Sequence, residues 1–274
     1  MVAARGFSLT DLAGVTAASV VAAAILLAMA PEPHGPLPIT LNNLRVIGQA
    51  TSGYQADHNN YLPMVLSYVR GSTPASGGGL EGWCTWSFGG KNNHGYWGGR
   101  AFDVEAADRP LNPYVIPDEY FYAPPRPTRL PNNHPARTHA QAPMFQDPGD
   151  IATHQRNWPA ATPGVSAYND IGTSYQTNAS WWNQVPQNLP FVARFNEGTR
   201  RIAVGKGVQP SRFVWLSDEF STLVLNNPNR RFRLTNGYGD VNYAPMLFMD
   251  GHVLYDRITP TIFSTSRYTF IFEP

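Results

Sequence analysis

Between Leu12 and Ala30 the chain runs through nineteen residues, LAGVTAASVVAAAILLAMA, without one charged side chain. As a helix rising 1.5 Å per residue, such a run is about 28 Å long, enough to cross the hydrocarbon of a bilayer. Whatever follows must then be a separate head joined to that rod. A secretory signal is the alternative: its apolar region is about 7 to 15 residues long and ends at an A-x-A-like site. Ala28 and Ala30 offer that spacing, with cleavage near Pro31. Arg5, ahead of the run, is expected to stay on the cytoplasmic side, with the larger C-terminal part exported.

Composition limits what the head can be. Twenty Lys+Arg against 19 Asp+Glu leave a formal charge of +1, which gives no field for nucleic acid or an anionic membrane surface. With 42% hydrophobic, 12% aromatic and 14% charged residues, the chain has ample material for a packed core, and disorder along its whole length is excluded. The 24 glycines and 25 prolines predict turns and irregular connections rather than a helical bundle. Cys84 is the single cysteine, so it has no intrachain partner and a Cys-based zinc site is excluded.

Four prolines in PEPHGPLP (31–38) predict an extended or kinked linker. Beyond it Leu41, Leu44, Ile47, Gly48, Thr51 and Tyr54 recur at helical spacing, with Asn42, Asn43, Arg45 and Gln49 opposite, so residues 39–57 are expected to form an amphipathic helix. From Met64 to about Pro210 the chain reads as irregular. The glycine runs at 77–79, 89–90 and 98–99 lack the strand-then-helix setting of a phosphate loop. The last third reads as strands: Arg212 to Ser217, ending in Asp218 and Glu219; Pro245 to Met249; a tight turn at Asp250-Gly251; His252 to Tyr255; and Thr269 to Phe272. The expected fold class is α+β, with an N-terminal hydrophobic helix and a second helix packed on an antiparallel sheet amid long irregular loops.

The residues ahead of the apolar run carry a resemblance. MVAARG followed by Phe7-Ser8-Leu9-Thr10-Asp11-Leu12 resembles the leader of type IV pilins and type II secretion pseudopilins, in which a prepilin peptidase cuts a Gly-Phe bond and the new terminus is N-methylated. The resemblance implies a leader at 1–6 ending at Gly6, a mature start at Phe7, a membrane and assembly helix at 7–30 and a head at 39–274. Asp11 takes the acidic fifth mature position, where the family usually has Glu. A charge there costs about 2.5 to 3.5 kcal/mol at mid-bilayer unless it is compensated. The α-amino group of Phe7 in a neighbouring subunit would compensate it; the plainer reading places Asp11 at the interface beside Arg5. A second stretch, NNLRVIGQATSGYQADHNNYLP (42–63), resembles a large bacterial family of pilin-like proteins bearing the same processing segment. WSFGGK (86–91), RPLNPYV (109–115), PMFQDPGD (143–150) and GTSYQTN (172–178) are similar to segments of that family's heads. Its C-terminal H-x9-DG signature is matched at Asp250-Gly251, but Asp240 stands where the family has His. Pilins normally continue as one helix where this chain has its prolines.

The resemblance implies a non-enzymatic structural subunit of a pilus-like filament or secretion pseudopilus, located in the inner membrane before assembly and on the cell surface afterwards. Its partners would be other copies of itself, other pseudopilins, the peptidase and, through 7–30, the membrane. Some major pseudopilins steady a head that lacks a disulfide with calcium. Asp240 and Asp250, with Asp218 and Glu219 near them, offer the oxygen ligands calcium prefers; the plainer reading is a turn and a loop. Seven histidines (34, 58, 94, 134, 139, 154 and 252) show no metal-ligand spacing. The acid pairs Asp118-Glu119 and Asp218-Glu219 do not suggest a glycosidase, because neighbours on a strand point to opposite faces. Trp83, Trp86, Trp97, Trp181 and Trp182 either stack on sugars or anchor loops to the core. A membrane-tethered glycan-binding module and an exported hydrolase are therefore the competing readings.

Overall fold

The computed structural model describes residues 35–68, 81–97, 104–116 and 141–274. Gly6, Phe7, Asp11, the whole of 7–30, Asp118, Glu119, His34, His134 and His139 lie outside the described residues. Among the described residues no helix is long and apolar enough to cross a membrane.

Helix α1 spans Leu37–Asp57 and begins inside the stretch expected to be linker. Gly35 and Pro36 form a turn, and Pro38 falls in the helix's first turn. Proline is tolerated there because the N–H it lacks has no acceptor within the helix. The buried face consists of Thr40, Leu44, Ile47, Gly48, Ala50 and Thr51. Asn43, expected on the solvent side, is instead drawn to the head by a 2.9 Å bond from its Nδ2 to the Gln146 carbonyl.

Two short strand pairs follow. Strands β1 (Leu66–Tyr68) and β2 (Glu81–Trp83) are antiparallel partners, as are β3 (Ala152–Asn157) and β4 (Ala160–Pro163). The short helix α2 (Ala167–Ile171) leads into β5 (Tyr175–Thr177), and α3 (Phe191–Ala203) comes next. Then β6 (Val214–Asp218) runs directly into α4 (Glu219–Asn226), and the chain closes with β7 (Tyr243–Phe248) and β8 (Val253–Arg257). Strands β5, β6, β7 and β8 make a four-stranded antiparallel sheet in that order.

Both faces of this sheet are covered. On one side Leu247 and Trp215 join Leu44 and Ile47 of α1 in the larger core. On the other, Ala244, Met246 and Phe248 alternate with Leu247 and meet Val224 and Leu225 of α4 together with Tyr268 and Phe270. Helix α1 rides close over the β7–β8 turn: a Cβ at Gly48 would lie 3.0 Å from Leu247 Cδ1 and 3.4 Å from the Gly251 carbonyl oxygen. Gly251 has φ of +87°, the left-handed conformation the expected tight turn requires.

Two expectations need correction. The stretch between Met64 and Pro210 is not irregular throughout, since it holds β5 and the thirteen-residue α3, whose Phe195, Gly198, Thr199 and Ile202 form a buried stripe at helical spacing. The last strand, expected at Thr269 to Phe272, shrinks to isolated bridges from Thr269 to Phe213 and to Ser264. Side-chain amides take its place in the bonding: Asn178 Nδ2 donates to the Phe270 carbonyl, while Gln184 accepts from the Phe272 N–H and donates to its carbonyl. Phe270 and Phe272 still bury their rings, so the apolar pattern was real although the ladder was not.

Candidate functional site

Where α1 meets the head, four carboxyl side chains surround a cavity of about 240 Å³: Asp147, Asp150, Asp218 and Glu219. No lysine or arginine lines it. Local structure explains how each acid comes to lie there. Asp218 ends β6 and caps α4, its Oδ1 accepting from the Ser221 N–H at 3.0 Å. Glu219 is the next residue, and the turn into the helix carries its side chain toward β3, where it accepts from the His154 N–H at 3.1 Å and from Gln155 Nε2 at 2.6 Å. Asp150 accepts from the N–H groups of Ala167 and Tyr168, both at 2.8 Å, and from the Ser174 hydroxyl at 2.6 Å. Asp147 accepts from Thr40 of α1 at 2.8 Å, from the Gly149 N–H at 2.7 Å and from the Tyr238 hydroxyl.

Burial is the main reason these acids hold their protons more tightly than usual. It raises Asp150 to about 6 and Glu219 to about 8, and it pushes Asp147 up and Asp218 well up. Mutual repulsion adds to this: the charge of Asp147 raises both Asp150 and Asp218. The hydrogen bonds they accept work in the opposite direction without cancelling burial. Every carboxyl in the cluster is committed to a backbone N–H or a hydroxyl, so the group fastens α1, α2, β3 and α4 to one point.

The four head segments that carry the sequence resemblance also converge next to this cluster. Arg109, fully buried, donates to the carbonyls of Trp86, Gly89 and Ile171 and to the Asn93 side chain. Asn112 and Gly90 exchange two bonds of 2.8 Å. The Ser174 N–H donates to the Phe145 carbonyl, and the Asp147 N–H donates to Ser174 Oγ, both at 2.9 Å. Residues 86–91, 109–115, 143–150 and 172–178 thus form one knot although they are far apart in the chain.

The structure does not bring Asp240 and Asp250 together. Asp250 lies in the β7–β8 turn and accepts from the backbone N–H of His252, while its Oδ1 stands 2.6 Å from His252 Nδ1. Asp240 lies beyond the open end of that hairpin and accepts the Tyr255 hydroxyl at 2.8 Å. The length of β7 separates them, about 20 Å of strand at about 3.3 Å per residue. The pair therefore does not fit one calcium ion, and among the described residues no group of three His, Cys, Asp or Glu side chains is arranged to hold a metal.

The remaining candidates are spread out. His58 stacks on Tyr54 and His252 on Phe248, while His94 Nδ1 accepts from the Tyr96 N–H. Cys84 is buried, and burial pushes its thiol up to about 12, which keeps it protonated and unreactive. Trp86, Trp97 and Trp181 are buried, and Trp83 and Trp182 are half-buried around Trp181, as loop anchors would be. Sequence reasoning passed over Trp158, which is exposed at the β3–β4 tip, and Asp147 and Asp150, whose grouping with Asp218 depends on contacts distant in the chain. No protein-family model, no curated protein and no solved structure matches the chain.

Proposed function

We propose that this chain is a non-enzymatic structural subunit of a pilus-like or pseudopilus-like filament, cut after Gly6, held in the membrane by 7–30 and assembled through that segment. The observation that carries the reading is α1 laid on β7 and β8, beginning at Leu37 with six residues between it and the end of the apolar run at Ala30. A helix so placed hands the chain from an apolar rod to a sheet-based head. Thr40 and Asn43 tie its first turns to the head by hydrogen bonds. The acid cluster fits a structural role, because each of its carboxyls accepts hydrogen bonds from backbone N–H or hydroxyl donors that tie neighbouring segments together. Assembly would be driven by close packing of Ala17, Ala18, Ala22, Ala23 and Ala24, with Asp11 paired to the Phe7 terminus of a neighbour.

N-terminal sequencing and intact mass of protein recovered from cells test the first step. The expected chain begins at N-methylated Phe7; a chain beginning near Pro31 rejects the reading in favour of a soluble exported domain. Electron microscopy of sheared surface material tests the second. Filaments should be present with the natural chain and scarce with Asp11→Asn, whereas normal filament abundance in the variant would overturn the assigned role of that carboxylate.

A further inference from the structure

The described residues include all seven tryptophans, and only Trp158 is exposed, at 46% of its surface. It sits with Pro159 at the tip of the hairpin closed by the Asn157–Ala160 pair. The tip faces the C-terminal end of α4 across a cleft of about 260 Å³ whose lining includes Trp158, Pro159, Phe232, Asn226, Asn227 and His154.

We infer that this cleft binds an uncharged saccharide whose ring stacks on Trp158. Its walls combine flat apolar faces with polar atoms not used by the fold. Asn226 spends its Nδ2 on the Thr222 carbonyl at 2.9 Å, leaving Oδ1 to accept. Asn227 spends its Oδ1 on the Asn229 N–H at 3.0 Å, leaving Nδ2 to donate. His154 Nδ1 stands 2.9 Å from the Pro159 carbonyl. A carbonyl only accepts, so Nδ1 carries a proton, and in the neutral ring Nε2 is left to accept. Sugar rings match this mixture, with a C–H face for the indole and a rim of hydroxyls that both give and take hydrogen bonds.

The chemistry of the cleft argues against other occupants. A purely apolar ligand would cover the amides and imidazole without pairing them, at a cost for each. An anionic ligand would find no lysine or arginine in the lining, and His154 and Leu234 are shared with the cavity that holds the four carboxyls. The volume lies below the roughly 300 to 1,000 Å³ of sites for drug-sized ligands, which suits one or two sugar rings. The site holds equally for a head in a filament or on a tether, so it does not depend on the assembly reading.

The test uses the full chain in lipid nanodiscs, which avoids sugar-headed detergents, titrated with neutral hexasaccharides of glucose, mannose and N-acetylglucosamine by calorimetry and tryptophan fluorescence. At least one series should bind, with Trp158→Ala weakening it about tenfold or more and Trp158→Phe restoring most of the affinity. Asn226→Ala should weaken it too. Both substituted positions are exposed, and an unchanged melting temperature checks that the head stays folded. The inference is overturned if no neutral series binds at millimolar concentration, if Trp158→Ala binds as well as the natural chain, or if only sulfated oligosaccharides or proline-rich peptides bind.

Discussion

Gly198 and Glu219 show how single positions in this head acquire their meaning from contacts far away in the chain. Gly198 lies inside α3, where alanine would ordinarily add about 1 kcal/mol of helix stability. Here a methyl group would collide with the buried ring of Trp181. Gly198→Ala should therefore reverse the sign and lose about 1 to 3 kcal/mol, read from the urea midpoint; a more stable variant would mean the Trp181 ring moves aside freely. Glu219, raised to about 8 by burial, is mostly protonated at neutral pH. Glu219→Gln should change stability little near pH 4, where the carboxyl is protonated in both states, and should leave the variant increasingly more stable than the natural chain as pH rises toward 9, as measured by paired urea titrations. Neither property was legible locally. Asp218-Glu219 stood out as an acid pair, but the burial that sets its chemistry comes from β3 and from the 143–150 segment.

Elements were more legible than sites. The stripe of Leu44, Ile47, Gly48 and Thr51 announced α1, and Asp250-Gly251 announced the β7–β8 turn, because both signals are written within a few neighbouring residues. Helix α3 carries the same kind of stripe in Phe195, Thr199 and Ile202, but the proline- and glycine-rich loops around it mask the signal. The strand expected at the C-terminus failed for another reason: its partners are the side chains of Asn178 and Gln184, about ninety residues upstream, which no local pattern reveals. Cap chemistry gives a test at this scale. Asp218→Ala should cost about 1 kcal/mol by leaving the first turn of α4 uncapped. Asp218→Asn keeps the cap and removes a carboxyl that burial makes costly to ionise, so it should be neutral or stabilising at pH 8; denaturation showing equal losses in both variants would argue against the cap.

For the molecule as a whole the acid cluster sets the direction of pH dependence. In the unfolded chain these carboxyls titrate near 4, as carboxyls ordinarily do, whereas in the folded head Asp150 and Glu219 rise to about 6 and about 8. The native state then binds more protons than the unfolded one between about 4 and about 8, so stability is fullest at the acid end of that window and falls as pH rises through it. Urea midpoints should be higher at pH 5 than at pH 8.5, and the opposite order would show that the cluster is more open to solvent than its burial implies. Thr40 gives the arrangement a mechanical side, since it sits in the first turn of α1 with its hydroxyl on Asp147 and close to that of Tyr238. A tug on the chain ahead of that helix would load this latch in shear before it reached any rung of the sheet, so the head should part at its seam with the helix while the strands are still zipped.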